Sequence, residues 1–268
     1  MMLQTVHLNH EKILSYVECG DKKGYPILVQ HGLIASIKDG GLFEGLVALG
    51  ARVISIARPG YGESSPYLMK NFAEWGDIVA MLINELGLDH FDVLGISSGA
   101  PYGYSIGNKF PDKVGHVFIL SGMPALYDEG VRSHWPYPLS QNANMAEMEK
   151  LAAELFFSNL SADALQQVDI HDSMRNHCFG VAQDLRLRGL EWGFRLSEVN
   201  APVTMQHSRF DPNVPLIAAE MTSKLLPDCR FEIKETNVHF SKELLDDFAR
   251  SVIAKTTSGR PLNHPQRR

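Results

Sequence analysis

The run Leu94-Gly95-Ile96-Ser97-Ser98-Gly99 decides the fold, because an apolar strand ends there and a helix begins. A Gly-x-Ser-x-Gly run at such a boundary is typical of a sharp turn that exposes the serine hydroxyl above the edge of a sheet. Gly95 and Gly99 allow the turn because they add no side-chain bulk. The run therefore predicts Ser97 as a nucleophile. The alternative is an ordinary helix N-cap, a position at which serine is favoured.

Short apolar strands alternate with amphipathic helices on both sides of this turn. Alternating residues over 5–17 predict an opening hairpin. The strand-helix alternation predicts an α/β fold, in which helices cover both faces of a mostly parallel sheet. The predicted strands span 26–30, 52–57, 91–96, 114–120, 203–207 and 230–234, and the predicted helices span 41–49, 71–86, 98–110, 215–226 and 242–255.

The alternation stops between residues 123 and 200, where we predict a helical cap inserted into the core. This segment has helical patterns over 144–159, 162–168 and 172–189 and no clear strand. Asn144 and Glu147 have the spacing of a capping box. The core then comprises residues 1–122 and 201–255. Residues 256–268 are polar and contain prolines, which predicts a flexible tail.

A serine hydroxyl needs a neighbouring base, which a third group orients. In hydrolases built on such sheets, the acid and then the histidine follow the serine along the chain, at the carboxyl ends of strands. His239 follows the last strand, whereas His207 lies within a strand and His264 lies in the tail. Asp211 follows the strand over 203–207 and is the preferred acid. Glu235 is the reserve candidate, disfavoured because it belongs to the last strand.

Acyl transfer also needs N–H donors for the developing oxyanion. The backbone N–H of Ser98, at the start of the helix after the nucleophile, is one predicted donor. The loop after the strand over 26–30 predicts the N–H of Leu33 as the second, with Gly32 permitting close approach. We expect His31 to support this loop and not to act as a base.

These motifs together resemble the alpha/beta-hydrolase superfamily, in its Ser-Asp-His branch. The resemblance implies an eight-stranded sheet, with an antiparallel strand near its start and a cap after the sixth strand. It also implies Ser97, Asp211 and His239 as a triad, with Leu33 and Ser98 as the oxyanion hole. The matching pieces, in family order, are 31–32, 58–64, 95–99, 210–215 and 238–240.

Two positions depart from the family pattern. Ala57 stands where an aspartate usually precedes the Arg-Pro-Gly-x-Gly turn, a change expected to loosen that turn. Ala100 stands where a further glycine is common, which is expected to affect helix packing more than chemistry. Serine at position 97 resembles esterases, thioesterases, amidases and carbon–carbon hydrolases, and not the branches that use aspartate.

The resemblance implies a serine hydrolase without a cofactor, which cleaves a small carboxylic ester or related acyl compound. An acyltransferase, a lyase or a carbon–carbon hydrolase with the same triad remains open, because the fold does not separate them. A ligand-sensing protein with negligible turnover is the alternative outside enzymes. Met123 and Trp135, just after the strand over 114–120, are expected to line an apolar pocket for an uncharged substrate.

Composition narrows the classes of partner. The chain has 268 residues, a formal net charge of −6 and no basic stripe, which disfavours nucleic acid. An apolar run of signal-peptide or membrane-span length is absent, so we expect a cytoplasmic protein that does not bind membranes. The three cysteines lie far apart and predict packing roles. The spacing of His171, Asp172, His177 and Cys178 matches no standard metal site, and no metal is predicted.

Overall fold

An eight-stranded sheet lies at the centre of the computed structural model, which describes residues 2–140 and 144–258. The strands are β1 (Leu3–His7), β2 (Ile13–Cys19), β3 (Tyr25–Gln30), β4 (Ala51–Ile56), β5 (Phe91–Ile96), β6 (Val114–Leu120), β7 (Val203–Ser208) and β8 (Cys229–Lys234). Their order in the sheet is β1-β2-β4-β3-β5-β6-β7-β8. Strand β2 is antiparallel to β1 and β4, and the other neighbours are parallel. The predicted mostly parallel sheet and opening hairpin are confirmed.

Helices cover both faces of the sheet, because each carries an apolar stripe that must be buried. The α-helices are α1 (Glu44–Ala48), α2 (Ala73–Glu85), α3 (Ala100–Lys109), α4 (Glu129–Arg132), α5 (Met145–Phe156), α6 (Val168–Leu187), α7 (Leu216–Ser223) and α8 (Lys242–Ser258). Apolar side chains of α2 and α3 pack on one face, and those of α1 and α8 pack on the other. The predicted helix over 41–49 is a 3-10 turn, Gly40–Phe43, followed by the short α1.

The segment from 123 to 200 is helical, and its described part contains no strand. Helix α5 begins at the predicted capping box, where Asn144 and Glu147 each accept a hydrogen bond from the other's backbone N–H. The predicted helix over 162–168 was wrong, since only a 3-10 turn forms there, Ala164–Gln166. The Ser161 hydroxyl oxygen accepts the N–H of Ala164, and its carbonyl accepts the N–H of Leu165, which caps this short turn. The chain extends again at Gln167.

Helix α6 differs from the uninterrupted helix predicted over 172–189. It begins earlier, at Val168, and it kinks at Asn176, His177 and Cys178, whose φ angles are 52°, 57° and 63°. Such left-handed backbone is unfavourable for residues with a Cβ. The turn is held against the core, because the Asn176 side-chain amide donates to the carbonyl of Gly60 at 3.2 Å. The cap therefore meets the core through a specific turn, which helical periodicity does not reveal.

The end of the chain is helical for longer than predicted. Helix α8 continues to Ser258, three residues past the predicted end at Lys255. Thr256, which was assigned to the tail, is buried and donates its hydroxyl to Asp92 at 2.6 Å. The remainder of the predicted tail, 259–268, lies outside the described residues.

Candidate active site

Ser97 lies immediately after β5, and its backbone φ of 51° is left-handed. A Cβ on Gly99 would come within 2.1 Å of the Gln30 carbonyl oxygen, and one on Gly95 within 2.9 Å of Ile119. The chain can turn only because both positions lack side chains. An L-residue adopts a positive φ at a cost of about 1–3 kcal/mol, which the surrounding structure must offset. The predicted strand-to-helix turn is therefore formed, with Ser97 at its apex.

Asp211 and His239 meet Ser97 at the carboxyl edge of the sheet. His239 Nε2 lies 2.8 Å from Ser97 Oγ, and its Nδ1 lies 2.8 Å from one oxygen of Asp211 and 3.0 Å from the other. The carboxylate only accepts, so Nδ1 carries the proton and Nε2 is free to accept the serine hydroxyl. The structure thus brings together the three side chains that sequence order selected.

The environment of Asp211 favours its ionised form. Burial opposes ionisation, but the hydrogen bond and charge of His239 and the N–H groups of Val214 and Asn213 outweigh it and lower the Asp211 pKa. The carboxylate is fully buried, whereas the His239 side chain keeps 15% of its surface exposed. A buried anion beside an accessible imidazole can stabilise the imidazolium that forms when a serine is deprotonated.

His207 and Glu235, the alternatives for the base and the acid, have contacts of a different kind. His207 Nε2 donates to the Val214 carbonyl at 3.0 Å, and burial lowers the pKa of this histidine. Glu235 is 68% exposed and pairs with Arg209 at 2.7 Å, so it does not contact His239. Neither residue takes part in the contact between His239 and Ser97.

His31 supports its loop and is held neutral. Its Nδ1 donates to the Gly32 carbonyl at 2.8 Å, and its Nε2 accepts the N–H of Arg58 at 3.3 Å. Burial and the charge of Arg58 lower the His31 pKa well below its usual value. A neutral histidine with both ring nitrogens engaged is not available as a base. The supporting role of His31 remains a prediction.

A buried ion pair between core and cap was missed from the sequence. Arg58 donates to Asp184 of α6 at 2.5 Å, and also to the carbonyls of His31 and Gly32. Tyr61 and Tyr102 donate to the same carboxylate at 3.0 and 2.5 Å. Burial disfavours the arginine charge, but the carboxylate outweighs it and raises the Arg58 pKa. The only feature of the sequence that could have indicated this ion pair is Arg58, within the Arg-Pro-Gly-Tyr-Gly turn.

Hydrogen bonds hold this turn, although Ala57 stands where an aspartate is usual. Ser64 Oγ donates to the Ala57 carbonyl at 2.7 Å, and the Ala57 N–H donates to the Ser15 carbonyl at 3.0 Å. The N–H of Tyr61 donates to the Arg58 carbonyl at 3.0 Å. These bonds fix the turn without an aspartate at position 57.

The N–H groups of Leu33 and Ser98 remain candidates for the oxyanion hole. Both residues border the same cavity as Ser97, and Gly32 lies beside Ser97, since a Cβ there would be 3.8 Å from the serine Cβ. The N–H of Leu33 has no acceptor among the described residues. Ser98 lies in the first turn of a helical segment, where N–H groups lack intrahelical acceptors. Both donors are therefore free to bind a substrate oxygen.

A cavity of about 1000 Å³ opens above Ser97 between core and cap. Met123 and Trp135 both line it, and the Met123 N–H donates to the Ser97 carbonyl at 2.9 Å. The lining is mostly apolar, with cap residues such as Leu151 and Phe156 facing His239 and Leu33 of the core. Such a cavity suits a small organic molecule that carries an apolar portion.

The described residues include no group of three or more His, Cys, Asp or Glu side chains that could hold a metal ion. Asp172, considered above for a metal, instead accepts hydrogen bonds from Ser36 at 2.5 Å and Lys38 at 2.9 Å. Cys178 is buried, and burial raises the pKa of its thiol. The hydrogen bonds of Asp172 with Ser36 and Lys38 attach the cap to the loop after β3.

Gly99→Ala is expected to destabilise the fold by about 1–3 kcal/mol, because the new methyl group would overlap the Gln30 backbone. Gly103→Ala is the matched control in α3. Its Cβ would meet Ile119 and Val93 at an ordinary 3.5 Å, so this change should be neutral or stabilising through higher helix propensity. Urea unfolding of both variants measures the difference. Equal stabilities would show that close packing at Gly99 is not required.

Comparison with known proteins agrees with this architecture. A family model described as the alpha/beta hydrolase fold matches residues 25–243. An uncharacterized hydrolase, YcgS, of Bacillus subtilis (strain 168) is 30% identical over 101 residues, 38% of this chain and 36% of that protein. The 2-hydroxy-6-oxononadienedioate/2-hydroxy-6-oxononatrienedioate hydrolase 1 of Dechloromonas aromatica (strain RCB) is 25% identical over 228 residues, 78% of each chain.

Esterases are also among the similar proteins. The pimeloyl-[acyl-carrier protein] methyl ester esterase of Aromatoleum aromaticum is 26% identical over 199 residues, 68% of this chain and 77% of that protein. An esterase structure from Exiguobacterium antarcticum has a TM-score of 0.68 at 18% identity, covering 92% of this chain and 96% of that one. At that identity the structural likeness concerns the fold alone.

The chain belongs to the alpha/beta hydrolase family. Within the described ranges, no helix has both the length and the apolar character needed to cross a membrane.

Proposed function

We propose that this protein is a serine hydrolase that cleaves a small carboxylic ester through an acyl-enzyme intermediate, without a cofactor. The observation that carries the proposal is the continuous line of contacts from Asp211 through His239 to Ser97 Oγ, at the floor of a cavity. This geometry supports the requirements of a nucleophile, a base and an orienting acid.

In the first half of the reaction, Ser97 Oγ attacks the ester carbonyl carbon while His239 Nε2 takes the hydroxyl proton. Negative charge develops on the former carbonyl oxygen, where the N–H groups of Leu33 and Ser98 would donate hydrogen bonds. The carbon–oxygen bond to the alcohol then breaks, and His239 returns its proton to the leaving oxygen. The acyl group remains on Ser97.

Water completes the reaction by the same route. His239 takes a proton from water as the water oxygen attacks the acyl carbon, and the proton passes to Ser97 Oγ as that bond breaks. The products are a carboxylic acid and regenerated enzyme. Asp211 keeps its negative charge throughout and holds the imidazole in position.

Hydrolysis of a carbon–carbon bond is the second candidate, favoured by the similarity to the oxononadienedioate hydrolase over 78% of the chain. That reaction has a carbon leaving group, which must be stabilised until it is protonated. An alcohol leaving group needs only the proton that His239 already holds. The ester reaction is therefore preferred, because it requires no group beyond those described.

A fluorophosphonate probe tests the proposed nucleophile. We expect one label per chain, located on the Ser97 peptide by mass spectrometry, with loss of nitrophenyl-ester turnover in proportion to labelling. The Ser98→Ala variant should be labelled in the same way, since its change leaves Ser97 and both backbone donors in place. Labelling at another residue, or turnover that survives complete labelling, would contradict the proposal.

A further inference from the structure

Arg188 is a cation in the wall of the candidate active site, and it has no hydrogen-bonded or ion-pair partner among the described residues. It directly follows α6, and its side chain lines the same cavity as Ser97 and His239. Its Nε is buried and has no hydrogen-bond acceptor. No ion pair or side-chain hydrogen bond of Arg188 occurs among residues 2–140 and 144–258. The guanidinium is therefore enclosed by the protein without a direct hydrogen bond or ion pair in the described part of the chain.

Nearby carboxylates form no ion pair with Arg188 in the described structure, although the charge of Asp184 opposes the fall in the Arg188 pKa. Asp184 lies one turn earlier in α6, but its oxygens accept from Arg58, Tyr61 and Tyr102. Asp39 and Asp169 also line the cavity, yet neither forms an ion pair with Arg188. The Arg188 side chain remains partly accessible to water because it borders the cavity. Burial of the remainder of this side chain lowers the pKa of its guanidinium.

An arginine after a helix can have a purely structural role, because cations interact favourably with the carboxyl end of a helix. Arg186 illustrates such a role, since it donates to the Met69 carbonyl at 3.1 Å. Arg188, by contrast, donates to no backbone carbonyl of the described residues, although its Nε is buried. Burial of an unpaired charge is costly, so an arginine in this position favours an anionic occupant of the cavity.

We propose that Arg188 binds a carboxylate of the substrate, and that the preferred substrates are esters carrying a second, free carboxylate. The inference rests on the proposed ester hydrolysis. A planar guanidinium can donate two parallel hydrogen bonds to one carboxylate. The apolar walls then accommodate the chain between this carboxylate and the ester carbonyl at Ser97. This assignment replaces the uncharged substrate expected from the sequence.

Monomethyl and dimethyl esters of C6 to C10 dicarboxylic acids test the inference at equal chain length. The wild type should have a higher kcat/KM for the monomethyl esters. Arg188→Met should lose about 30-fold or more of kcat/KM for the monomethyl esters and keep its value for the dimethyl esters. Arg188→Lys should retain part of the preference, because a point charge replaces the two-pronged contact.

Lys150→Met is the matched control, since it removes an exposed cation of the cap that does not line the cavity. It should leave the ratio of the two ester rates unchanged. Thermal unfolding of Arg188→Met should show no loss of stability, because the removed charge has no protein partner. Equal loss of both ester activities, or a preference unchanged by Arg188→Met, would overturn the assignment.

Binding to Ser97→Ala separates this inference from the proposed function. Calorimetry should detect the monomethyl ester on Ser97→Ala and lose that signal on the Ser97→Ala/Arg188→Met double variant. If neither ester is hydrolysed by the wild type but this binding pattern holds, ester hydrolysis fails and the carboxylate site stands. If esters are hydrolysed without regard to charge, the carboxylate site fails and ester hydrolysis stands.

Discussion

Ser97→Ala is expected to lower kcat/KM for an ester by at least about 10⁴-fold while the fold remains intact. The reason is that Oγ is the atom in contact with His239 Nε2, at 2.8 Å, and no other hydroxyl of the described residues contacts that nitrogen. Residual turnover would come from the cavity and the backbone donors alone. Steady-state kinetics with a short-chain nitrophenyl ester measure the loss, and circular dichroism checks the fold.

Two further variants make this result specific. Ser98→Ala removes the neighbouring hydroxyl, which has no hydrogen bond in the described structure, and should keep nearly full activity. The combination of Ser97→Ala with His239→Gln should be scarcely worse than either single change, because the two residues act as one unit. Independent, additive losses would contradict the contact as the working arrangement, and so would a Ser97→Ala enzyme with unimpaired turnover.

The positions of Ser97, Asp211 and His239 could be predicted because each depends on local sequence and one topological rule. Each follows an apolar strand, and the carboxyl ends of parallel strands meet at one edge of the sheet. The same reasoning disfavours His207, whose Nε2 donates to the Val214 carbonyl and lies 3.6 Å from a carboxylate oxygen of Asp211, without a hydrogen bond to Ser97 in the described structure. The three residues meet although they are far apart in sequence, because the direction of each strand determines the edge of the sheet at which the next residue lies.

The interior of the cap could be predicted only where the signal was local. The capping box at Asn144 lies within four residues, and it forms as expected. The left-handed turn at Asn176 depends on the carbonyl of Gly60, 116 residues earlier in the chain. Helical periodicity continues through that turn, so a pattern of apolar residues predicts one helix where the structure has two segments. Tertiary contacts overrode local preference here.

Charged residues inside the protein were the least predictable feature. Asp184 lies within the segment 123–200 that the sequence predicts as a cap, yet its carboxylate lies against Arg58 of the core. Arg188 follows four residues later and has no ion-pair partner in the part of the chain that the structure describes. Nothing in the sequence distinguishes these two charges from the exposed pairs of other helices, because burial is set by how the cap packs on the core. Their roles became visible only from their contacts.

Asp184→Asn is expected to destabilise the protein by about 3–5 kcal/mol, because it leaves the Arg58 guanidinium buried without its counter-ion. Both side chains of this pair are almost fully buried, at 1% and 3% exposure. Two tyrosine hydroxyls would also exchange a charged acceptor for a neutral one. Denaturant unfolding monitored by tryptophan fluorescence measures the change in the free energy of unfolding.

The exposed pair of Asp77 with Lys109 provides the control, since Asp77→Asn should change stability by less than about 1 kcal/mol.

A second consequence of Asp184→Asn concerns catalytic activity. Arg58 also donates to the carbonyls of His31 and Gly32, so the loop that presents the Leu33 N–H depends on the same guanidinium. Folded Asp184→Asn should therefore have a lower kcat as well as lower stability, because a displaced donor stabilises the oxyanion less well. A destabilised variant with full kcat would separate the ion pair from the site and limit its role to joining cap and core.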